Sequence, residues 1–137
     1  MKAKLQFPDE VLTLLRQGRV LRIRAGTNRH RFIGIWVVVL EGRAFVRSWS
    51  VKPTGWYRTF LEEPRGAIQV AGQKIAVRAV RIADKRMRDA VDRAYLEKYN
   101  EAGTLKYAKD LGSAKSRATT IELVPLARAS AQETTRK

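Results

Sequence analysis

The longest apolar run in the chain is Phe32-Ile-Gly-Ile-Trp-Val-Val-Val-Leu40. It is mostly β-branched or aromatic, too short to span a bilayer, and suited to a strand buried on both faces. Glu41-Gly42 follows, with a glycine able to supply the positive φ that tight hairpin turns need. The return stretch then alternates. Ala44, Val46 and Ser48 share one side and Arg43, Phe45, Arg47 and Trp49 the other, which turns polar groups towards a ligand, a partner or water. The pattern predicts a central hairpin around which the rest of the chain is built.

Before it, Pro8 to Gln17 carries helix signals at both ends: proline at the first position, Asp9 and Glu10 in the first turn, Arg16 in the last and Gly18 beyond it. Val20 to Ala25 alternates as a half-exposed strand, and Gly26-Thr27-Asn28 is turn chemistry. After the hairpin, Trp56 to Glu63 reads as a short helix capped by Thr54 and ended by Pro64. Ala67 to Ala71 and Lys74 to Ile82 form a second hairpin. The apolar parity of its second arm changes between Val77 and Val80, which predicts a bulge near Ala79. Asp84 caps a helix over Lys85 to Tyr99 with an apolar stripe through Met87, Val91, Ala94 and Tyr95. Asn100 to Ser116 reads as a long loop, Arg117 to Val124 as a last alternating strand, and the residues from 126 on as a polar tail without periodicity. The expected architecture is one α+β domain over residues 1–125: a six-stranded antiparallel split β-barrel with three flanking helices, followed by a disordered tail over 126–137.

Composition narrows the chemistry. There is no cysteine, so disulfides, thiolate metal sites and a cysteine nucleophile are excluded, and the single histidine, His30, argues against a histidine-based metal site or a Ser-His-Asp triad. No Gly-rich nucleotide fingerprint or Walker loop is present. The start of the chain lacks the apolar run of a signal peptide, because Gln6, Pro8, Asp9 and Glu10 interrupt it, so a cytoplasmic protein is expected and no membrane partner. A formal net charge of +15 makes polyanion binding electrostatically reasonable. Arginines 16, 19, 22, 24, 29 and 31 form an acid-free run around the first strand. Charge says little about specificity, so a basic nucleic-acid-binding module stands as an alternative to the leading reading below.

Four stretches carry a resemblance: Ile35-Trp-Val-Val38, Val46-Arg-Ser48, Trp56-Tyr-Arg58 with Pro64, and Ala94-Tyr-Leu-Glu-Lys-Tyr99 with Arg117-Ala-Thr-Thr120. Together they resemble an uncharacterised bacterial family, domain of unknown function 2255, in the flavin- and deazaflavin-binding split-barrel group that includes pyridoxamine phosphate oxidase-like proteins. The resemblance spans residues 9 to 125. It implies a homodimer with a cofactor-type pocket near the subunit interface, where an FMN or deazaflavin phosphate is held by Arg, Lys, Ser and Thr at strand ends, and it makes a flavin-dependent oxidoreductase one reading of the activity. A structural or interaction protein without a cofactor is another.

Arg47, Ser48, Ser50 and Lys52 occupy the stretch matching the phosphate-binding strand end, and convergent charged donors can hold a dianion. A solvated strand end explains them equally well. Relatives often place a glycine soon after the Arg-Ser pair, whereas this chain has Trp49-Ser-Val-Lys-Pro53, and the bulk of Trp49 can fill or reshape the pocket. Trp56 and Tyr57, with Trp36 and Trp49, are candidates for a flat wall against a ring, although packing in the core or a dimer interface is the commoner use of large aromatics. Arg117 and Thr119 would complete the pocket from the last strand, or serve as ordinary edge-strand residues. Tyr95, Tyr99 and Tyr107 read as structural hydroxyls. No catalytic residue and no metal ligand is predicted.

Overall fold

The computed structural model describes residues 6–26, 31–49 and 55–126. Its elements in chain order are α1 (Asp9–Gln17), β1 (Leu21–Ala25), β2 (Ile33–Ile35), β3 (Val37–Leu40), β4 (Arg43–Val46), α2 (Trp56–Glu62), β5 (Arg65–Val70), β6 (Gln73–Arg81), α3 (Lys85–Lys98), α4 (Leu105–Asp110), α5 (Ala114–Arg117) and β7 (Ile121–Pro125). All pairings are antiparallel, in the order β2-β1-β5-β6-β7-β4-β3. The two outermost strands are successive pieces of one run, so the sheet curls until its edges meet at Trp36 and forms a nearly closed split barrel.

The run Phe32 to Leu40 is therefore two strands, one more than expected. Trp36 lies between them and stacks on Tyr99 at 3.9 Å, nearly parallel. Helix α3 supplies hydrogen bonds where the sheet parts. The Tyr95 hydroxyl donates to the Trp36 carbonyl at 2.9 Å, and Lys98 Nζ donates to the Val37 and Leu15 carbonyls at 2.8 Å each. Backbone groups without a ladder partner must find one elsewhere when buried, and here they find side chains. Burial keeps the Tyr95 phenol above its ordinary range and pushes Tyr99 up to about 12, so both are structural hydroxyls.

Inward residues of the strands, among them Leu21, Ile23, Val46, Ile68, Val77 and Leu123, fill the barrel with Val11, Leu12 and Leu15 of α1 and Tyr57 and Phe60 of α2. A second cluster lies outside the barrel, where Val38 and Phe45 pack under Val91, Ala94 and Tyr95 of α3, under Tyr99 at its C-cap, and under Ala108 and Leu111. The outer face of the central hairpin is thus covered by the chain itself. Both hairpins turn through two residues at positive φ, Glu41-Gly42 (54° and 72°) and Ala71-Gly72 (50° and 80°), as type I′ turns require.

The remaining differences have local causes. Strand β6 has no bulge: its register with β7 runs unbroken from Val77↔Pro125 to Arg81↔Ile121. The parity change reflects two cores, since Ile75 and Val77 face the barrel while Ile82 joins the cluster under α3. Strand β4 ends at Val46 instead of Trp49. The expected loop at 100–116 contains α4 and most of α5, and Arg117 belongs to α5, so β7 starts only at Ile121. Asp84 caps α3 as expected, accepting the Met87 N–H at 3.0 Å. Thr54, Thr27, Asn28, His30 and the tail from Ala127 lie outside the described residues.

Candidate functional site

Arg47 follows β4 on the same side as Phe45, which points it at α3 and the α4–α5 segment. It is 1% exposed. Nε donates to Thr120 Oγ1 at 2.8 Å, Nη1 to Asp92 Oδ1 at 2.5 Å and to the Leu111 carbonyl at 2.8 Å, and Nη2 to the Arg88 carbonyl at 2.8 Å. Asp92 also accepts from Arg117, which reaches Asp89 at 3.0 Å, and Asp89 accepts from Lys85 at 3.0 Å. Charges of alternating sign therefore run from the surface of α3 inward to Arg47. Burial pulls the Arg47 guanidinium below its usual range, and the bonds to Asp92 oppose that pull.

Four of the candidate residues come together here. Thr119 Oγ1 accepts the Ser48 N–H at 2.8 Å and donates to the Ser116 carbonyl at 2.6 Å, next to Arg47 and Arg117. They form an internal layer that ties the end of β4 to α3 and α5, with the Arg47 fork engaged within the chain. Ser50 and Lys52 lie outside the described residues. Trp56 and Tyr57 stand apart on α2: Trp56 packs edge-on against Tyr57 and Phe60 beside the barrel core, and the Tyr57 hydroxyl donates to the Ala118 carbonyl at 3.3 Å.

Beyond Arg47 the chain opens into a recess of about 420 Å³ lined by Trp36, Trp49, Tyr107 and Asp110. Its rings stand as near-perpendicular walls. Trp36 and Trp49 have centroids 5.2 Å apart at 73°, and Trp49 and Tyr107 6.3 Å apart at 85°. The Trp49 indole N–H donates to the Tyr107 carbonyl at 3.3 Å, which fixes α4 against the strand end. Trp49 and Tyr107 remain 38% and 46% exposed, so apolar ring surface meets solvent at this point. Such a recess can hold a flat ring by stacking or edge contact, with one carboxylate to accept a hydrogen bond. Among the described residues no group of His, Cys, Asp and Glu could hold a metal ion, and no helix is long and apolar enough to cross a membrane.

Tyr107 and Asp110 were not predicted as lining residues, because Gly103 and Gly112 made their segment look like loop. Ala108 and Leu111, both buried, give the helical spacing that marks α4.

Residues 16–123 match the family of uncharacterized proteins conserved in bacteria, DUF2255. The chain belongs to this family. None of the curated proteins compared with it matches. Its fold is shared by solved structures of low identity. A conserved hypothetical protein of Mycobacterium tuberculosis aligns with a TM-score of 0.59 at 12% identity, covering 93% of this chain and 85% of that one. A Listeria innocua protein provisionally described as a pyridoxamine 5'-phosphate oxidase aligns at 0.58 and 12%, covering 87% and 93%. An FAD-binding protein of Mesorhizobium loti aligns at 0.52 and 15%, covering 87% and 88%. Identities this low speak for the fold, which is the split barrel expected from the sequence.

Trp36, Trp49 and Tyr107 offer flat apolar walls, whereas Arg47 spends its donors on Thr120, Asp92, Leu111 and Arg88.

Proposed function

We propose that this protein binds a flavin- or deazaflavin-type small molecule, with the ring system in the aromatic recess beside Trp49. The observation that carries the reading is that recess: open ring surface at the end of β4, in a fold shared with a protein described as FAD-binding. The phosphate end of such a ligand would meet Ser50 and Lys52, one and three positions after Trp49 in the chain. Arg47, Ser48, Arg117 and Thr119 would act one step removed by holding the strand end in place, and Trp56 and Tyr57 by supporting the barrel behind it. Any oxidoreductase chemistry would belong to the cofactor, with the protein supplying binding and orientation.

Titrating the purified chain with FMN, FAD and a deazaflavin, followed by cofactor fluorescence and thermal shift, tests this reading. Saturable binding of one of them is expected, weakened about tenfold by Trp49→Ala, the usual worth of a ring contact. No saturation with any of the three at high micromolar concentration would overturn it.

The protein is further proposed to work as a cytoplasmic homodimer. The apolar edge at exposed Leu14, Val20 and Ile33 supports an interface there. Sedimentation should give twice the monomer mass of 15.6 kDa. A monomer at micromolar concentration would refute the assembly.

A further inference from the structure

The other side of the barrel carries a different surface, independent of the recess. Strands β1, β5 and β6 turn Arg22, Arg24, Arg65, Lys74 and Arg78 outward, with Ala67, Gln69 and Ala76 between them. The register sets these residues in rows. Arg22 stands opposite Gln69 and Gln69 opposite Lys74; Arg24 stands opposite Ala67 and Ala67 opposite Ala76; Arg65 stands opposite Arg78. Successive rows are about 7 Å apart and neighbouring strands about 5 Å apart.

Little within the chain balances this charge. Glu63 is taken by Arg65 at 3.0 Å. Among the described residues the side chains of Arg22, Lys74 and Arg78 make no ion pair, and Arg24 Nε is a buried donor without a partner. Arg65 and Arg78 stand directly across two strands, and Glu63 offsets part of their mutual repulsion. Apolar side chains on this face lie at its margins: Phe32, which supports the Arg24 guanidinium at 4.8 Å, exposed Val20 beside Gly34, and half-buried Val80.

We propose that the outer face of β1, β5 and β6 docks the phosphate backbone of a nucleic acid. Arginine forks suit phosphate oxygens, and small residues between the cations let a backbone approach closely. The outward cations lie on strands, so the contact is with phosphates and independent of base sequence.

The test is fluorescence anisotropy of a short labelled DNA, as single strand and duplex, titrated with the full chain at several salt concentrations. Neutralising about four phosphates predicts a log-log salt slope between about −3 and −4. Arg22→Gln with Arg78→Gln should weaken binding at least about tenfold at about 100 mM salt and cut the slope by about two. Arg86→Gln with Arg93→Gln removes the same charge from exposed positions of α3 and should change affinity less than about threefold. Lys74→Gln provides the same comparison at half the charge change if the first pair destabilises the fold. Equal losses from the two pairs, absence of saturable binding, or anionic phosphatidylglycerol vesicles binding more tightly than DNA with the same dependence on Arg22 and Arg78, would each overturn the proposal.

Discussion

On the side formed by β7, β4 and β3, the outward residues Glu122, Arg43, Phe45 and Arg47 are enclosed or half-enclosed. On the side formed by β1, β5 and β6, the outward residues Arg22, Arg65, Lys74 and Arg78 stand in water. The alternation along the strands is the same in both places. The difference lies in α3 and α4, which return over the first side only. There each charge has a partner: Arg43 forks onto Glu122 at 3.2 and 3.0 Å, and Arg47 meets Asp92. A charge taken from water needs a partner at close range, whereas one left in water needs none. The same residue type is therefore structural on one side and available for binding on the other.

Variants of the covered side should cost most. Arg47→Ala leaves a cavity and strips partners from Thr120, Leu111 and Arg88, which should lower unfolding free energy in urea by about 3–5 kcal/mol. A loss below about 1 kcal/mol would show that burial and pairing are not what distinguishes this side. Glu122→Gln keeps a hydrogen-bond acceptor but removes the charge facing Arg43, and should cost about 1–2 kcal/mol in the same assay.

Lys98, on α3, sharpens the comparison through pH. Burial pulls its ammonium from near 10.5 down to about 8, with Arg19 adding to the shift. Between those values the unfolded chain holds a proton that the folded chain has released, so stability should rise as pH increases from about 8. The rise should be about 1 kcal/mol, well below the full shift, because Lys98 keeps contact with water. Thermal melts across pH 8 to 9.5 should show it, and Lys98→Met should flatten it. Tyr99 opposes the trend only above the ordinary tyrosine range. On the bare side, Arg22→Gln should alter stability by less than about 0.5 kcal/mol.

Much of this architecture was legible in the sequence, because caps, turns and alternation are local. Pro8, Asp84, Glu41-Gly42 and Ala71-Gly72 mark their elements where the structure has them. The break at Trp36 was not legible, since nothing between Phe32 and Leu40 interrupts a strand. It depends on Tyr95, Lys98 and Tyr99 arriving from α3 to serve the freed carbonyls. The importance of Arg47 could be read, but not its direction: the same Arg-Ser pair serves an open cradle or a buried tie, and Asp92 decides between them from another element. Trp36 and Trp49 were readable as a wall. Tyr107 and Asp110 completed it from a segment too short and glycine-flanked to announce a helix.

On the proposed reading, a flavin-type ligand sits on the covered side of the molecule, in the recess beside Trp49. The chain has three tryptophans, two lining that recess and Trp56 beside the barrel core, so indole N–H signals in a nitrogen-15 NMR titration with FMN report its location directly. Saturable shifts of the Trp36 and Trp49 signals are expected, with Trp56 unmoved. Shifts confined to Trp56, or no saturable shift of any indole, would contradict it.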